Sequence, residues 1–256
     1  MIVDTHIHVG RFDDVYYDPL EIVETVMSCG IEQMWISSTT SCEEGIRYAK
    51  VETELQKLFA QTAQTPETVR ALFWYCPDYI GQGVTAENAF GAIPYKGIKI
   101  HPYSHKWNFG DGRHMETLHG LFDLARRNDL PILIHTGESG IDGADRFESF
   151  FPEYAPARFV LAHCRPPETT LSMLEKYANV FCDTAFVPEA HIRQIVSAGH
   201  GEKLLTGTDF PITHFFSTHY PKENADKNIS IKAQYEFDLA KIANSLHERG
   251  ENTQHV

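Results

Sequence analysis

Two histidines one residue apart, His6 and His8 in Asp4-Thr5-His6-Ile7-His8, are the first residues in the chain that could do chemistry. On a strand, side chains two apart point the same way, so both imidazoles can face one ion. Three more polar residues each end an apolar run. They are His135 in Leu133-Ile134-His135-Thr136-Gly137, His163 in Val160-Leu161-Ala162-His163-Cys164-Arg165, and Asp209 in Thr206-Gly207-Thr208-Asp209-Phe210-Pro211. Imidazole and carboxylate suit Zn²⁺ and its divalent relatives and leave a coordination position for water. One strand-end histidine is more often a hydrogen-bonded core or loop residue, and an isolated His-X-His is weak evidence. The ordered set, a histidine pair, two histidines and an aspartate, each closing its own run, is much harder to obtain by chance.

Such a set needs strands whose ends meet. Candidate strands are Ile2–His8, Gln33–Ser38, Val69–Tyr75, Gly97–His101, Ile132–Thr136, Phe159–His163, Val180–Asp183 and Leu204–Thr208. Most are apolar on both faces, as parallel strands covered on both sides should be. Helices are expected between them. Asp18 and Pro19 start one that Gly30 stops, and others cover Glu43–Gln64, Met115–Asn128, Glu168–Tyr177 and Glu189–Ala198. Ile231–Arg249 closes the chain, and Phe215–Ser230 reads as a long loop or lid at the mouth. Eight β-then-α units predict a (β/α)₈ TIM barrel, α/β in class, in one domain spanning residues 1–256. A doubly wound sheet is disfavoured because no glycine-rich phosphate turn follows the first strand. In a barrel, active sites lie at the C-terminal ends of the strands, where these polar residues fall. Alternation predicts inward columns of Leu133 with His135, Phe159 and Leu161 with His163, and Leu205 and Gly207 with Asp209.

The bulk properties agree. At 256 residues the chain has the usual barrel length, and 42% apolar content excludes a disordered chain. A formal charge of -13 with no basic cluster argues against nucleic acid and anionic membrane partners, and leaves a small molecule as the expected substrate. Five scattered cysteines form no CxxC pair and no even framework, so a reduced, cytoplasmic protein is expected. Neither a signal peptide nor an apolar span long enough for a bilayer is expected. Homo-oligomerisation through a helix face stays open.

On these motifs the sequence resembles the amidohydrolase superfamily, in particular its amidohydrolase-2 branch. The resemblance runs from Ile2-Val3-Asp4-Thr5-His6-Ile7-His8 to Gly207-Thr208-Asp209-Phe210-Pro211. It implies that His6, His8, His135 and Asp209 bind a catalytic divalent metal, zinc or a relative. It further implies that His163 holds a second ion or polarises the substrate. By the same resemblance, the metal activates water to attack an amide, ester or lactone bond, and Asp209 takes and returns the proton. Lys99, in Gly97-Ile98-Lys99-Ile100-His101-Pro102, has three readings: a carboxylated bridge between two ions, a binder of a substrate carboxylate, or a structural lysine paired with an acid. His101 shares its strand face and is either a pocket residue or strand-end punctuation.

Arg165 and Glu138 sit on expected mouth loops and are candidate substrate contacts, as are Tyr103, His105, Trp107 and His214; surface salt bridges and loop closure explain them equally well. Three rivals stand beside hydrolysis. A metal-dependent decarboxylase of the same branch would tend to be longer. A deoxyribonuclease-like barrel would carry Glu where this chain has Lys99. A catalytically inactive binding barrel need not keep every ligand.

Overall fold

The structure is a computed structural model and describes residues 1–62, 67–137, 140, 142–221 and 228–247. Its elements run β1 (Val3–Phe12), β2 (Val15–Tyr17), α1 (Pro19–Ser28), β3 (Gln33–Ser38), α2 (Tyr48–Gln61), β4 (Val69–Trp74), α3 (Ala86–Ala92), β5 (Gly97–Ile100), α4 (Gly112–Asn128), β6 (Pro131–His135), α5 (Phe150–Glu153), β7 (Arg158–Ala162), α6 (Pro167–Lys176), β8 (Val180–Asp183), α7 (Glu189–Ser197), β9 (Leu204–Leu205), α8 (Ile212–His219) and α9 (Ile231–His247). The sheet order is β2-β1-β3-β4-β5-β6-β7-β8-β9, and every pair except β1–β2 is parallel. The residues after β9 bond to β1: Thr206 accepts from the Thr5 amide at 2.8 Å, His6 from Asp209 at 2.8 Å, and Phe210 from His8 at 2.7 Å. Those bonds join the first and last parallel strands, so the eight-strand (β/α)₈ barrel holds.

Several expected boundaries shift for local reasons. β1 runs on to Phe12 because Asp13, at φ 54°, turns the chain into a hairpin with β2. Helix α2 starts only at Tyr48, because Gly45 in the left-handed region interrupts the stretch expected from Glu43; Gln64 lies outside the described residues. The expected loop Phe215–Ser230 is helical up to His219, where α8 buries Ile212 and Phe215 on one face. Residues 222–227 and Arg249, within the expected lid and closing helix, also lie outside the described residues. None of the described helices is long and apolar enough to cross a membrane.

Two apolar layers separate at the sheet. Inside the ring, Leu72, Leu133, Val160 and Ala162 pack with Trp35, Phe181 and Leu205. Outside it, the large cluster joins strands to helices. The expected columns hold on β6, where Leu133 lies below His135. They fail on β7: Val160 and Ala162 face inward, while Phe159 faces Phe122 of α4 and Phe151 of α5 at 5.3 and 5.0 Å between ring centroids. His163 nonetheless reaches the interior because it and Cys164 adopt φ of 71° and 49°, which rotates the chain past simple alternation. Left-handed residues with side chains cost about 1–3 kcal/mol each and concentrate at functional sites.

α9 is tied to the barrel by buried polar contacts. Tyr235 donates to Asp4 at 2.9 Å, and Asp4 also accepts from the Thr208 hydroxyl at 2.7 Å and the His6 amide at 3.0 Å. Asp238 accepts from the Thr213 hydroxyl at 2.6 Å and from Gln234 at 2.8 Å. Burial pushes the Asp238 carboxyl up from 3.8 to about 6, against those two donors. An acid raised on folding stabilises the fold most below its unfolded pKa and loses that contribution as pH rises through its folded pKa. The native protein is therefore expected to lose about 2 kcal/mol relative to Asp238→Asn between pH 4 and pH 7. Denaturant midpoints of both proteins at the two pH values check this.

Candidate metal centre

His6 and His8 reach the barrel mouth from β1, Lys99 from β5, His135 from the end of β6, His163 from the turn after β7, Asp183 from the end of β8 and Asp209 from the turn after β9. All are buried. Gly207 makes the approach possible, since a Cβ there would lie 2.9 Å from that of His6 and 3.2 Å from that of Asp183.

The hydrogen bonds bear on the tautomers. Asp183 Oδ2 lies 2.7 Å from His6 Nδ1, so Nδ1 carries the hydrogen and Nε2 the lone pair. His8 Nδ1 lies 3.2 Å from the Ser37 carbonyl, which can only accept and so favours a hydrogen on Nδ1 and a lone pair on Nε2, and 3.0 Å from the Ser37 hydroxyl, which accommodates either tautomer. Both Nε2 atoms meet Asp209 Oδ1, at 3.4 Å from His6 Nε2 and 2.8 Å from His8 Nε2. His163 Nδ1 donates to the Ala185 carbonyl at 3.0 Å, so its Nε2 accepts from His135 Nδ1 at 3.0 Å. The lone pair of His135 is then on Nε2.

Charge reinforces this pattern. Burial, helped by the nearby Lys99 charge, holds His6 well below the usual imidazole range and His135 down to about 3; burial does the same for His163. These rings are neutral at pH 7, as ligands must be. Burial works to raise the Asp209 carboxyl, but the His6, His8 and His163 imidazoles outweigh it, so Asp209 stays ionised. The Nε2 atoms of His6 and His8 and Asp209 Oδ1 thus converge as a cation site would have them, with Lys99 Nζ 3.1 Å from His6 Nε2. Within the described residues, His6, His8 and Asp209 form one group whose donor atoms lie within 4.8 Å of one another; His6, His163 and Asp183 form a second. His135 belongs to neither group.

Lys99 is buried, with Nζ 3.1 Å from His6 Nε2 and 5.5 Å from the centroid of Trp74. Burial lowers its pKa to about 8 against the attraction of Asp209 and Asp183. As an ammonium it would repel an ion held by that nitrogen. His101 stacks on His135 at 3.6 Å between centroids, with the rings 14° from parallel, and on its other side Trp74 lies at 5.9 Å and 10°.

A cavity of about 460 Å³ opens over these groups, within the range for small-molecule sites. Arg165, His101 and Tyr103 line it with Lys99. His105 stands behind the wall, accepting from the Trp74 indole at 2.9 Å. Trp107 instead packs on Tyr75 and His114, and His214 lies beside Tyr17 and the Ile229 carbonyl. Glu138 lies outside the described residues. Sequence reasoning passed over Asp183, although it ends an apolar strand as His135 does. It also missed the aromatic wall of Phe12, Trp74, Phe186 and Phe216, which carries no local signal.

A family model described as amidohydrolase matches residues 3–235. A search of curated proteins finds no match. Among solved structures, a TatD-like protein from Archaeoglobus fulgidus superposes with a TM-score of 0.56 at 14% identity, covering 97% of this chain and 93% of its own. An uncharacterized TIM-barrel protein from Bordetella bronchiseptica gives 0.54 at 14% identity, covering 98% and 99%. N-acetylneuraminate lyase from Mycoplasma synoviae gives 0.51 at 14% identity, covering 96% and 78%. At such identities the likeness shows the barrel fold alone.

Proposed function

Because the chain belongs to the amidohydrolase family, we propose that it is a metal-dependent hydrolase that uses water to cleave an amide, ester or lactone bond of a small molecule. The observation that carries this is the convergence of two imidazole nitrogens on an ionised, buried aspartate. His6, His8 and Asp209 would hold the ion, with His135 Nε2 as a further ligand. Zinc suits this donor set. A bound ion of this kind supplies Lewis acidity and lowers the pKa of water towards about 7.

The chain's own residues do the rest. Asp209 takes the proton from water and passes it to the leaving group. His163 Nε2, 4.0 Å from Asp209 Oδ2 and left with a lone pair by the Nδ1 bond to Ala185, would serve as a further ligand once its bond to His135 opens. Asp183 and Ser37 favour the ligating tautomer of the β1 histidines. Arg165 and Lys99 are the candidate contacts for a substrate carboxylate. The acidic chain and its five free thiols favour a small-molecule substrate and a cytoplasmic setting.

Elemental analysis combined with an ester, lactone and amide panel tests this reading. About one zinc per chain with turnover supports it, and a second ion with carboxylated Lys99 would extend it to a bridged pair. Release of CO₂ from aromatic or unsaturated acids without any hydrolysis would move the chain to the decarboxylases. Failure to take up any divalent ion would leave an inactive barrel. Zinc at a hundred times its Kd is expected to stabilise the fold by about 2.7 kcal/mol. For a domain of this size that raises Tm by roughly 5–10 °C, reversibly on chelation, as calorimetry would show.

A further inference from the structure

We propose that the substrate carries an apolar acyl arm that lodges in a second cavity beside the metal centre. This rests on the hydrolase reading above and names the kind of molecule the site takes.

The second cavity, about 400 Å³, lies between α7, α8 and α9 and the ends of β8 and β9, with Val187, Ile192, Tyr220, Phe237 and Ile242 among its apolar lining. Phe186 and Phe216 belong to the walls of both cavities. Their rings meet edge to face, 6.0 Å between centroids and 85° apart, so the two cavities share one aromatic partition.

The partition is built at a cost. Phe186 sits at φ 54°, where an aromatic residue is an outlier. The turn is held by the Val187 amide, which donates to the Thr184 carbonyl at 3.2 Å, and by the Ala185 carbonyl, which accepts from His163. A strained residue bonded through its neighbour to a site histidine, with its ring 36% exposed, serves no core. Phe216 is 43% exposed on α8 and packs on Phe12, Phe215 and Tyr220 as well, so entry of the arm requires its ring to turn, whereas the Phe186 backbone is pinned.

The polar groups of this chamber do not ask for a charged ligand. Asp238 already accepts from Thr213 and Gln234. Lys241 also lines the chamber and its charge offsets that of Asp238, and beside these and a few hydroxyls the exposed lining is the apolar surface of Phe186, Phe216, Tyr220 and Phe237. An ester head placed at the histidines would send its acyl chain past Phe216 into this space. Water adds to the acyl carbon, the carbon–oxygen bond to the leaving group breaks, and the products are the free acid and the alcohol or phenol.

The test uses zinc-loaded protein with 4-nitrophenyl acetate, butyrate and octanoate. Since each buried methylene gives roughly a threefold to fourfold gain, kcat/KM is expected to rise at least about tenfold from acetate to octanoate. Ser217→Trp, on a partly exposed position of α8 that lines the chamber, is expected to lower the octanoate-to-acetate ratio about tenfold. Ile242→Trp, filling it from α9, should do the same and guards against a folding defect in the first variant.

Calorimetric binding of octanoate against acetate gives a readout that needs no turnover. Acetate hydrolysis with a flat length dependence, and octanoate bound no tighter than acetate, would overturn the arm and leave the hydrolase reading standing. No ester, lactone or amide hydrolysed, but octanoate bound tighter than acetate and weakened in Ser217→Trp, would sink the hydrolase reading and support the chamber as an apolar subsite.

Discussion

Asp209→Asn is expected to lower kcat by about 10²–10⁴-fold while zinc remains bound, the range that a positioned general base contributes. The carboxylate stands 2.8 Å from His8 Nε2 and 3.4 Å from His6 Nε2, and its second oxygen faces His163. An amide keeps one oxygen for a metal but has no basic lone pair to take a proton at neutral pH. The loss should therefore fall on kcat more than on KM. Zinc content and kcat measured on the same preparation decide the matter, because a zinc-replete variant with the native rate would remove Asp209 from the base role.

The second large effect is expected at a residue that need not touch the ion. Asp183 uses both oxygens as acceptors: Oδ2 takes His6 Nδ1 at 2.7 Å, and Oδ1 takes the amides of His163 at 2.9 Å and Ala185 at 3.1 Å. Asparagine can meet only one of these sides with an oxygen. Its amino group must face either the His6 ring or the two backbone donors. In the first case His6 changes tautomer and puts its hydrogen on Nε2, where the ion would bind. In the second, two buried amides lose their acceptor. Asp183→Asn should weaken zinc binding by about 10–100-fold, as loss of such orienting partners does. Competition with a chromophoric chelator measures it. Unchanged zinc affinity with a lowered Tm would show that Asp183 only braces the turn.

These expectations differ in how far the sequence could carry them. The strands were legible because a parallel strand buried on both faces is an unbroken apolar run, and β3 and β8 begin and end where those runs do. The histidine pair was legible because strand alternation needs only the backbone period. His163 was placed at the mouth by the end of its run, but its inward direction followed from a left-handed turn at two residues that are not glycine, for which the sequence holds no sign. The hairpin after β1 and helix α8 are short and take their stability from tertiary packing. Asp183 could have been found by the rule that found His135. Phe186 and Phe216, thirty residues apart in sequence, meet only through the fold.

The bonds that join the last strand to the first have a consequence for the order in which this molecule can mature. His6 and His8 are made early, and Asp209 about two hundred residues later, yet they meet across that one seam. On the proposed ligand set, a growing chain would have no complete coordination sphere until its final strand docks. An ion bound there ties the two edges of the barrel together, holding shut the junction with the greatest separation along the chain and the largest closure entropy. Metal supply would then govern how often the finished barrel opens as well as how fast it turns over substrate, and zinc starvation would show first as hydrogen exchange along β1.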